Sequence, residues 1–233
     1  MIQETAPTPT GDARSTAGFC RRVAVLCVRA DSVYKGMGLD CYDAARDART
    51  YQGPHPIIAH PPCRGWGRLR GLAHATDEEK AIGPWCADQV RAWGGVLEHP
   101  AHSTLWSAAD LPQPGSTDQF GGFTLDVEQF WWGHRAQKRT WLYVCGCARK
   151  DVPSMPIRLG KAPRVITNRH GLRAGQPGYR SEVTRRERDA TPPDLAMWLV
   201  SLASHCCGQN TDLTDAARPG AGNNQNASAG GAR

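Results

Sequence analysis

What most constrains this chain is a series of short apolar runs separated by helix signals. RVAVLCV, residues 22–28, is apolar throughout after its first residue, as a strand buried on both faces is. Pro56-Ile57-Ile58-Ala59 is a second such run. Thr76-Asp77-Glu78-Glu79 has the pattern of a capping box, with Thr76 as N-cap and acids in the first turn. The spacing predicts a helix from there to about Trp93, with Ala81, Trp85 and Val90 facing inward and Gly94-Gly95 as its stop. GVLEH (95–99) and the alternating TWLYVCG (140–146) are the next strands. Thr191-Pro192-Pro193-Asp194 starts a last helix with proline in its first turn. Leu195, Trp198, Leu199 and Leu202 follow at i, i+3, i+4 and i+7, one face turned to the core. Strands alternating with helices predict an α/β domain with a largely parallel sheet. Sites in such sheets lie at the carboxyl ends of the strands. Cys63 and Glu98 each follow or end a short apolar run, which sets them on one edge.

The ends of the chain differ in kind. Residues 1–19 are rich in Thr, Pro, Gly, Ala and Ser and lack the apolar core of a secretory signal, so a disordered arm and a cytoplasmic location are expected. Residues 208–233 hold no aromatic residue and one large aliphatic, Leu213, and read as a disordered tail. No apolar run approaches the roughly 20 residues of a bilayer span. One domain, about residues 20–207, is expected, as a monomer without a membrane partner.

Charge is concentrated. Residues 150–188 carry ten Lys or Arg and three Asp or Glu, hence +7, against +6 for the whole chain and therefore −1 for the remainder. Such a basic segment is the electrostatic footprint of a polyanion, nucleic acid first; the alternative is a solvated loop. The nine cysteines form no CxxC pair, and most are expected reduced and buried. Cys145, Cys147, His205, Cys206 and Cys207 are the only set from which zinc ligands could be drawn, and their spacing is poor for a structural site, so no metal is expected.

HPPCRGWGRLRG, residues 60–71, places one thiol after two prolines and before three arginines. Cys63 can be a nucleophile, a ligand or packing. Its surroundings resemble the DNA (cytosine-5)-methyltransferase family. Pro62-Cys63 matches that family's Pro-Cys motif and Glu98-His99-Pro100 its Glu-Asn-Val motif. Gln137-Lys138-Arg139 matches Gln-x-Arg-x-Arg, and Pro192-Pro193-Asp194-Leu195-Ala196 a terminal "PP-x-L-A" helix. The likeness spans roughly 22–204, and the short intervals are similar to compact phage and prophage relatives. It implies a Rossmann-like sheet with flanking helices, S-adenosylmethionine as cofactor and DNA as partner. It also implies Cys63 as the nucleophile that adds to cytosine C6, Glu98 as the acid at N3 and the 4-amino group, and Arg139 as the group holding O2. Pro62, Arg64, Arg68 and Gln137 then line the substrate side. Arg64, Arg68 and Arg70 are expected to lower the thiol's pKa, and the cytosine must be flipped out of the duplex. Each residue also has a plainer reading: Cys63 as packing, Glu98 as a cap for a helix near Ser103, Arg139 as a solvated or phosphate-binding arginine. His60 and His99 read as local hydrogen-bonding groups, and Phe130-Trp131-Trp132 as an anchor for a loop.

Other positions depart from the family. Its Phe-x-Gly-x-Gly-Gly loop is replaced by Arg29 to Asp40, only about 35 residues separate the first strand from Cys63, and Trp141 stands for the second arginine. Asp40, Asp43, Asp47 and Pro192 are the candidate cofactor residues, by position alone. Residues 148–186 replace a recognition domain with a basic, DNA-contacting loop, which predicts relaxed, salt-dependent binding. Three functions remain: methyl transfer, C5 modification with another electrophile, and DNA binding without catalysis.

Overall fold

The structure, a computed structural model, describes residues 22–68, 70–167 and 171–208; the expected arm 1–19 and the tail from 209 onward lie outside them. One sheet contains six strands: β1 (Ala24–Leu26), β2 (Asp40–Cys41), β3 (Ile57–Ala59), β4 (Gly95–Pro100), β5 (Phe123–Glu128) and β6 (Arg139–Cys145). Their order is β2-β1-β3-β4-β6-β5. β1 to β4 run parallel, and β6 runs antiparallel between β4 and β5. The chain leaves β1 for β2 on one side and returns to lay β3 on the other. The strand order therefore reverses between β1 and β3, the point beyond whose carboxyl ends sites lie in open sheets of this kind.

Among the described residues five helices accompany the sheet: α1 (Val33–Gly36), α2 (Asp77–Trp93), α3 (Leu105–Ala108), α4 (Arg185–Asp189) and α5 (Pro193–Ser204). α5 covers one face, where Leu195, Leu199 and Leu202 pack with Val25, Ile58, Val96, Leu142 and Val144. α2 covers the other, where Cys86, Ala87 and Val90 pack with Leu26, Ile57, Leu97 and Tyr143. The period-2 alternation of each strand assigns its residues to these two layers.

Helix starts follow the expected signals. Thr76 Oγ1 accepts from the Glu79 amide at 3.2 Å, capping α2, and proline occupies the first turn of α5. The inner face of α2 is rotated from the expected one: Ala81 is exposed and Trp85 half-buried, while Gly83, Cys86, Ala87 and Val90 are buried. Gly83 sets this rotation, since a Cβ there would stand 2.7 Å from Leu105 Cδ1. Gly94 stops the helix at φ 76°, and Gly95 opens β4 at φ 124°, where a Cβ would sit 1.9 Å from the Ile57 carbonyl oxygen. Strands β3 and β4 can pair here only over a glycine.

β2 and β5 were not foreseen. β2 is two residues long, whereas β5 reads FTLDVE, an alternating strand in plain sight. Of the cysteines considered for zinc, the Cys145 thiol faces the Phe120 carbonyl at 3.5 Å, and Cys206 faces the Leu202 carbonyl at 3.4 Å and shares a hydrogen bond with Cys147. Among the described residues, no group of three His, Cys, Asp or Glu side chains is placed to hold a metal ion. No helix among them is long and apolar enough to cross a membrane.

Candidate active site at the carboxyl edge of the sheet

β3 carries the chain to the edge, and its pairing extends one residue further through the His60 amide to the Leu26 carbonyl, 3.0 Å. Pro61 and Pro62 then stiffen the exit, and Cys63 begins a turn in which its carbonyl accepts from Trp66 and Gly67. The loop is tied down at Trp66, whose carbonyl accepts from the Thr104 amide and hydroxyl, each at 3.1 Å. Arg64 is held by Glu79 in a two-bond ion pair. Arg68, Arg70 and Leu72 face solvent, with Leu72 82% exposed.

Glu98 reaches the same edge from β4. Its Oε2 lies 3.0 Å from His60 Nδ1, and its Oε1 accepts from Gln129 Nε2 at 2.9 Å. Gln129 Nε2 also donates to Thr140 Oγ1 at 3.1 Å. The other His60 nitrogen lies 3.1 Å from the Tyr34 hydroxyl. A polar chain thus runs Tyr34–His60–Glu98–Gln129–Thr140, linking the segments after β1, β3 and β5 to β4 and β6. Burial and the Glu98 charge raise the Tyr34 hydroxyl well above its usual pKa, so it keeps its proton. His60 thus meets the Tyr34 hydroxyl through Nε2 and the Glu98 carboxylate through Nδ1.

Electrostatics at the edge are not those expected. Burial alone would raise the Glu98 carboxyl, but the His60 hydrogen bond, followed by the Lys138 charge, holds it at about 2. Burial pushes the Cys63 thiol up, the Glu98 charge adds to this, and Lys138 opposes it. The thiol is therefore raised, not lowered by the loop arginines: Arg64 is engaged with Glu79, and the cation acting on the sulfur lies just before β6. Burial drives the His99 imidazole down to about 4 despite the neighbouring Glu98 charge. His99 points to the opposite face, buried, with neither ring nitrogen in a formed hydrogen bond.

The structure thus brings Cys63, Pro62 and Glu98 together and adds His60, Gln129, Tyr34 and Lys138. It does not bring Arg139 to them. Glu98 pairs in register with Leu142 and Pro100 with Thr140, so even-numbered β6 residues share the Glu98 face and Arg139 faces away. There Arg139 grips Asp126 through both carboxylate oxygens, with Nε at 2.9 and 3.2 Å. Gln137 is exposed just before the strand. The acids proposed for the cofactor are engaged locally: Asp40 by Arg46, Asp43 by Lys35 and two backbone amides, Asp47 by Arg49. Pro192 is buried as the N-cap of α5.

The basic segment borders this edge. Ala136, just before Lys138, bridges to Arg164, and Val165 bridges to Glu182. Glu187 of α4 takes Arg135 in a two-bond ion pair, while Arg186 reaches Asp31 after β1 at 3.1 Å. A scan against protein-family models finds no match for this chain, and neither does a search of curated proteins.

Proposed function

We propose that this protein modifies C5 of a flipped-out cytosine in DNA through a covalent Cys63 adduct. One observation carries the reading: a solvent-reachable cysteine and an ionised, hydrogen-bond-locked carboxylate stand on one sheet edge bordered by a basic segment. In the reaction the Cys63 thiol gives its proton to solvent and its sulfur bonds to C6 as the C5=C6 electron pair moves to C5; C5 then bonds an electrophilic carbon, whose displaced bond leaves with its electron pair. Water takes the C5 proton, the C5=C6 bond re-forms, and the C6–S bond breaks to release the thiolate. Each Glu98 oxygen retains a lone pair beyond its present bond, and these accept from the 4-amino group. That contact draws on the Glu98 charge, which after burial is the largest cause raising the Cys63 thiol. Base binding itself thereby favours the thiolate.

S-adenosylmethionine is the electrophile that the resemblance implies. The residues beyond β1 and β2 do not fit it well. The Tyr34–His60 bond spans the point where the strand order reverses, and Asp40, Asp43 and Asp47 are each paired with Arg or Lys. Calorimetric titration with S-adenosylmethionine separates methyl transfer from C5 modification by another carbon electrophile.

The raised thiol favours a second reading, DNA binding without chemistry. An oligonucleotide carrying 5-fluorocytosine distinguishes the two, because fluorine at C5 blocks the final elimination. A denaturation-resistant adduct, formed with a donor present and lost in Cys63→Ser, is the expected result. Binding of the oligonucleotide with no adduct under any donor supports the second reading.

A further inference from the structure

Within Gln137-Lys138-Arg139-Thr140 the geometry points to Lys138 as the cation that pairs with the Cys63 sulfur when it is charged, Arg139 being a structural clamp on β5. The inference deepens the reading of Cys63 as a nucleophile and rests on it. Three observations support it. First, Thr140 shares the Glu98 face, joined to it through Gln129, and Lys138, two residues earlier, projects to that same side. Second, the backbone at Lys138 is pinned: its carbonyl accepts from the Gln129 amide and the Thr140 hydroxyl, each at 3.1 Å. Third, the Lys138 charge bears on both Cys63 and Glu98. Lys138 is half-buried, and none of the ion pairs formed among the described residues uses its charge. Arg139 is the contrary case, 54% exposed and closed on Asp126.

The chemistry suits lysine. A compact ammonium on a flexible stem follows a sulfur as it moves from thiol to adduct, whereas a guanidinium locked to a carboxylate does not.

The test reads the sulfur directly and needs neither DNA nor donor. Cys63 alkylation by iodoacetamide is followed between pH 6 and 11 by mass spectrometry of the Cys63 peptide, in the full-length protein. Lys138→Met should move the midpoint upward by about one unit, slowing alkylation about tenfold at a fixed pH below it. Lys138→Arg should restore most of the rate. Arg139→Met should leave the midpoint in place while lowering the melting temperature. An unchanged midpoint in Lys138→Met, or an equal shift in Arg139→Met, overturns the assignment. Should Lys138→Met not fold, Lys138→Gln against Lys138→Arg gives the same contrast. A Lys138-dependent profile without any 5-fluorocytosine adduct would remove the proposed function and leave this pairing standing; an adduct with a Lys138-independent profile would do the reverse.

Discussion

Nδ1 of His60 lies 3.0 Å from Oε2 of Glu98, and this contact does most to keep a buried carboxylate charged. The side chain of Glu98 is only 12% exposed. Without the imidazole the same burial would favour the neutral acid.

The pairing makes acid stability depend on Glu98. Its folded pKa of about 2 lies below the ordinary 4.5, so the unfolded chain binds the proton more readily between those values. The stabilisation is complete above about pH 4.5 and lost as pH falls toward 2, on the order of 3 kcal/mol. Urea midpoints between pH 5 and 2 should fall steeply for the native protein and more gently for Glu98→Gln. Parallel curves for the two would remove the account of a charge held by His60.

His99, the next residue on β4, works in a separate window. Burial lowers it to about 4 from 6.5, so an unfolded chain gains a proton there that the folded one refuses. Stability is full above about pH 6.5 and declines as pH drops toward 4, again on the order of 3 kcal/mol. His99→Asn, which cannot charge, should flatten urea midpoints across that interval. A decline that persists in this variant would have to come from another group.

The elements legible in the sequence were those whose local signals agree with their packing. α2 and α5 carry both a start signal and an apolar face, and β1, β3, β4 and β6 are apolar runs. Pro62-Cys63 and Glu98 could be placed on one edge because strand direction alone puts them there. The parts missed depend on pairing. Whether Lys138 or Arg139 faces the site follows from the register of β6 against β4, and a one-residue slip would exchange them. His60 and Gln129 act through partners 38 and 31 residues away in sequence, separations that no local pattern encodes. The direction of the Cys63 shift is illegible in the sequence for a like reason: burial and the Glu98 charge raise the thiol, and both are set by the tertiary fold, not by arginines near in sequence.

The Thr76 cap offers a test of the long helix independent of the site. Its hydroxyl satisfies the Glu79 amide, one of the four donors a helix start leaves open. Thr76→Ala should lower stability by about 1 kcal/mol, and Thr76→Ser or Thr76→Asp should retain most of it. Equal urea midpoints for Ala and Ser variants would show that the cap contributes nothing.

Affinity for DNA should depend on salt through the segment that borders the site. Arg158 and Lys161 are exposed there, with Arg158 over the Phe130 ring, and Arg164 is fixed beside Arg135 by a backbone bond of 2.9 Å. If these cations contact phosphates, each contributes about 0.9 to the slope of log affinity against log salt. Double replacement of Arg158 and Lys161 by Gln should therefore lower that slope by about 2, while Arg139→Met, whose charge Asp126 already holds, should lower it far less. Fluorescence anisotropy with a labelled duplex across 50 to 200 mM salt reads both. A slope unchanged by the double replacement would take DNA away from this segment, and the adduct experiment would then need single-stranded or RNA substrates instead.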